Sequence, residues 1–571
     1  METSDAARDA GQHIGRQRSG ETDGLPYVPP VTPYRRRPSK KPVDSPVRRK
    51  PVAWFAPGQL GGTALRVILA QRFGAYLDKR ELQAMFPQQE FRHDSDELWL
   101  DYVADVGDGF DATYSIAYLL AQPSLALDGA SLPRGQISLP RGQVLVMGGD
   151  QVYPTGSSKE YKERCEQPYA MAFPDAEDSV RPAPTLYALP GNHDWYDGLT
   201  AFLRLFGKGR HFGGWRSPQT RSYFALRLPQ GWWLYAIDVQ FDAYLDEPQM
   251  EYFQEAAREL KPGDRVIIAS PTPSWVYTNE DPSEYETIKY FIEKTIGDRD
   301  VQVRLHISGD KHHYARYGDG FFTCGGGGAY LAGTHGLPDS ISVPLTDDCS
   351  QPLKSTYPSS KESKRYSWGV FWRMPLRNPT FALLLGSVHL LLLLVFLTAS
   401  LSVLTMPVLV TTGAVLSASV GFAVLETRVV RKRHWALGFS HGLAHLALGV
   451  AAAYAWNHSP FVHHDQLWAA VALLAYLPVA SLIAVETVAA YLFIADRCGV
   501  NRNELFAGQG IIDAKSFLRL HFQRDGSLTI YPVGLSRSGR SWRSDSSSGS
   551  SALQPSTPLE PHLIEPPITL R

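Results

Sequence analysis

Cysteine is scarce in this chain: four residues in 571, Cys165, Cys324, Cys349 and Cys498, with no Cys-x-x-Cys pair among them. That excludes a disulfide-stapled scaffold and a zinc ribbon, and it points to a reducing compartment. Net charge is missing too. Lys and Arg number 56 against 57 Asp and Glu, a formal charge of -1, so the basic excess of a dedicated nucleic-acid binder is absent and no nucleic-acid partner is predicted. Residues 1–52 lack apolar patterning and any apolar core of the signal-peptide kind, so export through an N-terminal signal is not expected. From Tyr34 onward they carry Arg35, Arg36, Arg37, Lys40, Lys41, Arg48, Arg49 and Lys50 among prolines. This is the composition of a disordered, solvated basic arm, with contact to anionic lipid headgroups as the alternative.

The length allows three or four units of about 150 residues each. Overall mean hydropathy is slightly negative, but it averages a polar first two-thirds with an apolar region over 380–494. That region divides into segments at 380–401, 404–425, 435–456 and 467–494, and the first two contain no Asp, Glu, Lys or Arg. Each can cross a hydrocarbon layer of about 30 Å, which predicts a domain of four transmembrane helices. His441 and His445, four apart, share a helix face. Glu486 lies inside the fourth segment and His389 inside the first. An ionised glutamate at mid-membrane is costly, so a hydrogen bond from Glu486 to one of these histidines is the favoured expectation, with an intramembrane metal or proton site as the alternative.

Ahead of the membrane region, Leu65, Ile68, Leu69, Phe73, Tyr76, Leu77 and Leu82 recur at helical spacing and predict an amphipathic helix over about 63–86. Short apolar runs at 98–104, 144–147, 185–189, 232–237, 266–269 and 303–307 then alternate with helical stretches. They predict an α/β fold for a domain spanning 53–345, followed by a linker over 346–379. After the membrane, 503–535 returns to soluble character. Alternation over 517–522, the Asp525-Gly526 turn and the run 528–533 predict a small β-hairpin region. The Ser- and Pro-rich 536–571 reads as a disordered tail.

Polar residues gather just past the apolar runs: Asp105-Val106-Gly107, Gly149-Asp150-Gln151-Val152-Tyr153, Gly191-Asn192-His193-Asp194 and Gly309-Asp310-Lys311-His312-His313. Ligands bind outside the carboxyl ends of strands in open α/β sheets. Loops converging there can hold two cations bridged by one carboxylate. Each motif alone is weak, and their succession is not. In that succession the chain resembles the calcineurin-like metallophosphoesterase superfamily over roughly 100–340. Asp105-x-Gly107 with Gly149-Asp150-x-x-Tyr153 looks most like its purple acid phosphatase branch. The membrane half is absent from that branch, so the chain looks like a membrane-attached bacterial-type relative.

The resemblance implies a β-sandwich flanked by helices, holding two divalent or trivalent metal ions, iron with manganese, magnesium or zinc. Carried over residue by residue, the first metal takes Asp105, bridging Asp150, Tyr153 and His312. The second takes Asp150 and Asn192, but Ser270 stands where the lone strand-end histidine belongs and Asp310 where the family has the first histidine of its last block. A carboxylate favours harder ions, so the second site is expected to be weak. His193 is implied as the group that protonates the leaving group or stabilises charge on the phosphoryl oxygens, with Asp194 orienting its ring. Asp108 either replaces a family histidine or caps the helix beginning near Ala112. Lys311, His313 and Arg316 are candidate phosphate contacts, and Trp275 and Tyr277 candidate stacking platforms. His335 is a spare metal ligand, and Gly325 to Gly328 a tight backbone crossing rather than a phosphate loop, since no Gly-Lys-Ser or Gly-Lys-Thr follows.

The function so implied is membrane-anchored hydrolysis of a phosphate ester, a lipid-linked one among the candidates. The alternative is a catalytically silent binding or signalling module on the same fold. Basic residues flank the segments at Lys361, Lys364, Arg365, Arg373, Arg377, at Arg428, Arg431, Lys432, Arg433 and at Arg497, Arg502, while 402–403 and 457–466 have none. That asymmetry predicts a multi-pass inner-membrane protein with both termini and the catalytic domain in the cytoplasm.

Overall fold

The computed structural model describes residues 47–571 except 78–79, 84, 86–89, 129–135, 175–182, 240–243, 298, 345–349, 399–404, 425–428, 461, 463–464 and 546–550. Most of the basic arm, Cys349, Arg428 and the loop at 402–403 therefore lie outside the described residues.

Every apolar run expected to be extended forms a strand. Leu98–Val103, Val144–Met147 and Thr185–Ala188 pair in parallel, as do Trp232–Ala236, Arg265–Ala269 and Gln302–Ser308. The two trios sit in different sheets, one of nine strands and one of eleven. The sheets share one core, to which Leu100, Val144, Leu518 and Ile530 come from one side and Leu234, Ile267, Leu305 and Phe322 from the other. Helix Phe110–Ala121 covers the outer face of the larger sheet, packing Phe110 and Tyr114 beside Met147 and Phe517. Helices Glu247–Ala257 and Glu286–Thr295 cover the other sheet through Phe253 and Phe291 against Tyr235 and Ile268. Strands covered on both faces read as unbroken apolar runs, which is why the sequence displayed them so plainly.

Three of the expected boundaries change. The C-terminal hairpin is not a separate region: Lys515–Phe522 and Leu528–Leu535 enter the larger sheet, with Lys515–Phe522 antiparallel to Leu98–Val103. Arg519, opposite Asp101, donates to both of its carboxylate oxygens at 2.6 and 2.9 Å, and both residues are buried. The tail is not disordered over its described part. Pro561–Leu563 and Ile568–Leu570 pair with Leu528–Leu535, and Trp542–Ser544 pairs with Leu553–Pro555. Biased composition means that a segment cannot build its own core; this one borrows a core already present. The expected linker also joins the fold, as strand Ser350–Tyr357 beside Tyr314–Tyr317 and helices Ser360–Ser367 and Val370–Arg377. Ser359 and Glu362 close a capping box at the first of these helices.

The N-terminal helix spans Pro57–Leu77, followed by Arg80–Gln83. Leu65, Ile68 and Leu69 of the expected apolar stripe are exposed. This helix starts at the membrane end, where Phe55 packs edge-on against Phe381 and Phe422.

Four helices are long and apolar enough to cross a membrane: Pro379–Leu397, Met406–Val424, Lys432–His458 and Gln466–Arg497. Leu383, Leu391, Val410 and Leu474 are exposed on them, as lipid-facing side chains are. His389, His441 and His445 turn inward. His389 Nε2 lies 2.8 Å from His445 Nδ1, and His445 Nε2 lies 3.1 Å from His441 Nε2. The expected bond from Glu486 to a histidine is not formed. Ala484, Val485, Val488, Ala489 and Leu492 make the buried stripe of the fourth helix, and the helical period leaves position 486 at its margin.

Candidate metal centre

The four motifs come together beyond the strand ends. Tyr153 Oη lies 2.8 Å from Asp105 Oδ1, 3.1 Å from Asp150 Oδ2 and 2.9 Å from His312 Nε2, and His312 Nε2 is 3.6 Å from Asp105 Oδ1. All four residues are buried. Eight non-glycine residues among those described have positive φ, and Asp105, Asp150, Asp310 and His312 are four of them. Such backbone costs roughly 1–3 kcal/mol per residue and persists where surrounding structure imposes it, often at functional sites. The glycines beside the ligands serve close approach more than turning. A Cβ on Gly191 would lie 2.2 Å from Asp150 Oδ1, and one on Gly325 would lie 2.3 Å from Asp105 Oδ2. The glycine run from Gly325 is thus the tight crossing expected of it.

The electrostatics of this group are unbalanced. Burial, and then repulsion from Asp150 and Asp310, holds the Asp105 carboxyl well above the usual carboxylate range. Burial also raises Asp150, with Asp310 adding to it. The Tyr153 phenol is pushed up by burial and by the same carboxylates, and burial pushes the His312 imidazole well down. A phenol has one proton to donate and here faces two carboxylate oxygens and an imidazole nitrogen, while Asp105 Oδ2 is buried without a partner.

A cation resolves both faults, and the residues fit one. Ligands at about 2.1 Å in octahedral array stand about 3.0 Å apart, close to the three separations around Tyr153 Oη. Among the described residues no three His, Cys, Asp or Glu side chains suffice by themselves; the phenol completes the set. The second set fits poorly. Asn192 Nδ2 is 3.4 Å from Tyr196 Oη, Ser270 Oγ donates to the Thr272 carbonyl, and Asp310 Oδ2 is paired with Lys311 Nζ at 2.8 Å.

His193 stands beside this group. Its backbone N–H donates to Asp150 Oδ1, and its Nδ1 is 2.9 Å from the Pro154 carbonyl. A carbonyl only accepts, so the proton is fixed on Nδ1 and Nε2 is the free position. Asp194 does not orient the ring as expected. It is fully buried beneath the loop, accepting from the Gly191 and Gln151 amides and the Tyr161 hydroxyl, so it shapes the Asn192-His193 turn instead.

Of the expected substrate contacts, only Lys311 remains available, its side chain one-third exposed. Arg316 is bound by Glu565 of the tail. His313 is buried, and burial pushes its imidazole down to about 3. Trp275 is 1% exposed, packed on Phe321 and His306, and is no platform. His335 is no ligand; it joins Ser363 Oγ at 2.7 Å to Asp496 at 2.9 Å. Asp108 neither caps the helix nor enters the site. Its Oδ1 accepts the Val52 amide at 2.7 Å.

That bond seats a pair of aromatic residues that sequence reasoning missed. Trp54 packs edge-on against Tyr153, His193 and Tyr330 at ring distances of 5.7–5.9 Å, and the next residue, Phe55, reaches the membrane helices. Lys515 was missed as well. It is fully buried, donates to the Ala329 carbonyl at 2.5 Å, and is pushed down by burial to about 8. Neither place had a signal, because one adjoins a basic arm and the other begins a hairpin some 400 residues from Asp105. No family model and no curated protein matches the chain.

Proposed function

We propose that the chain is a membrane-anchored, metal-dependent phosphoesterase of the calcineurin-like type, hydrolysing a phosphate ester at the bilayer surface. The observation that carries this reading is the convergence of Asp105, Asp150 and His312 on the Tyr153 hydroxyl within 3.1 Å. These four residues would hold a metal ion, which when bound supplies Lewis acidity and an activated water. Asp150 uses one carboxylate oxygen toward Tyr153 and the other to accept the His193 amide, so it fixes the histidine relative to the ligand set. The Pro154 carbonyl holds the His193 ring through Nδ1–H, and in the imidazolium form, with a second proton on Nε2, that nitrogen would give its proton to the departing alcohol oxygen and leave the ring neutral. Trp54 excludes water from one side of that ring.

The rings of Trp54 and Phe55 link the site to the start of the first membrane helix and the end of the second. This proximity favours a phosphate ester carried on a lipid. We further infer an inner-membrane location with the site and both termini cytoplasmic, supported by the basic residues described above. A phosphatase reporter fused after His463 should be active in periplasmic space, and one fused after Arg433 should be silent; the reverse would place the site outside.

Purified protein loaded with Mn²⁺ or iron should cleave at least one member of a panel of phosphomonoesters, phosphodiesters and phospholipids. A protein that binds no transition metal and cleaves none of them is instead the silent module.

A further inference from the structure

Resting on that reading, we propose that the Lys311 ammonium takes the place of a second metal ion, so that the centre works with one metal and one fixed organic cation. The family pattern asks for two ions, and only one set of ligands in this chain is fit for use.

At the second position each component is engaged elsewhere or absent. The end of strand Arg265–Ala269 carries Ser270 in place of a histidine, and its hydroxyl donates to the Thr272 carbonyl. Pro271 follows, and it packs against Gly149, with its Cβ 3.4 Å from the point a Cβ on Gly149 would occupy. Asp310 is the remaining candidate ligand, and its Oδ2 is 2.8 Å from Lys311 Nζ. The ammonium also sits over the Tyr277 ring, 5.1 Å from its centroid. Lys311 is therefore held by a carboxylate and an aromatic face, in the arrangement that fixes an ammonium as a point charge.

Charge balance points the same way. Asp105 and Asp150, both buried, and Asp310, whose side chain is partly exposed, contribute up to three negative charges. A divalent ion at Tyr153 together with the ammonium neutralises them. A second divalent ion would have to displace Lys311 from Asp310 or share that carboxylate with it, against like-charge repulsion. The ammonium retains N–H donors beyond the one used by Asp310, and its side chain reaches solvent. It can therefore bind a phosphoryl oxygen by a charge-assisted hydrogen bond.

The test uses full-length protein in detergent, stripped with chelator and reloaded with Mn²⁺ alone. Bound manganese is counted by mass spectrometry, and its electron paramagnetic resonance spectrum is recorded. We expect one Mn²⁺ per chain with the six-line signal of an isolated ion, and the same count in Asp310→Asn. Two Mn²⁺ per chain with a spin-coupled spectrum, falling to one in Asp310→Asn, would overturn the proposal while leaving the metal reading intact. No Mn²⁺, iron or zinc in wild type would overturn the metal reading and the proposal with it. In Lys311→Met, checked for folding by gel filtration, inorganic phosphate should bind the Mn²⁺-loaded protein about tenfold more weakly with Mn²⁺ affinity unchanged; unaltered phosphate binding would refute the role given to the ammonium. The wild-type count stands even if that variant fails to fold.

Discussion

Among the groups of buried polar side chains in the described residues, one past the strand ends and one inside the membrane bundle are organised by opposite rules. The strand-end group sets Asp105, Asp150, Asp310 and His312 on positive-φ backbone, leaves Asp105 Oδ2 without a partner, and crowds two carboxylate oxygens and an imidazole nitrogen around the Tyr153 phenol. In the membrane, His389, His445 and His441 form a chain of imidazoles in which each neighbour donates to or accepts from the next. They lie on regular helices without any positive φ, and the ring of His441 stacks on Tyr491 at 4.0 Å. The first arrangement leaves a buried carboxylate oxygen without a partner. The second satisfies itself, apart from His441 Nδ1. Buried groups left without partners point to an absent one, whereas a network of side chains that mostly partner one another points to packing specificity.

That contrast can be broken by mutation, most severely at Asp150. Asp150→Asn should abolish both metal binding and hydrolysis while circular dichroism and gel filtration stay as in wild type, since the residue contacts Tyr153 and His193 rather than the core. Normal activity in the Asp150→Asn protein would remove the distinction between the two groups.

Next in size is His193→Ala, which should keep its metal and lose about 10²- to 10⁴-fold in kcat. A parallel loss of metal would make His193 a structural element of the ligand loop instead. Tyr153→Phe tests the centre of the group. In oxidised, iron-loaded wild type the phenolate should produce a visible charge-transfer band, and the substitution should bleach it. A colourless iron-loaded wild type would return Tyr153 to a packing role.

The smallest effect is expected in the membrane. His445→Leu removes the middle of the imidazole chain, and intramembrane hydrogen bonds average about 0.6 kcal/mol, at most about 1.7. Thermal unfolding in detergent should shift by no more than that, with hydrolysis and metal content unchanged. A variant that folds but loses activity would show that the chain serves the chemistry.

Much of this was legible in the residue pattern, and the exceptions have identifiable causes. Strands buried on both faces announced themselves as apolar runs, and the membrane helices as long uncharged ones. The candidate ligand motifs were legible as a succession of glycine-flanked polar residues, and in two of them the glycine lies against a carboxylate, Gly191 against Asp150 and Gly309 against Asp105. Arg316 was misread because its partner, Glu565, lies in a segment whose composition hid its order. Trp275 and His313 were misread because proximity in sequence to a site says nothing about which face of a strand or loop a side chain takes.

The sequence by itself determined the elements and the succession of candidate ligand motifs, because both depend on local patterns: periodicity, apolar length, and glycines next to polar residues at the strand ends. Only the tertiary structure decided that the C-terminal hairpin and tail complete the larger sheet, through Arg519 on Asp101 and Glu565 on Arg316. It also decided that Trp54 and Phe55 join the candidate site to the membrane helices, and that Lys311 rather than a vacant coordination position faces Asp310. These are contacts between residues distant in the chain or turned by strained backbone. No local pattern encodes them, because their energies arise only once the sheets have closed on each other.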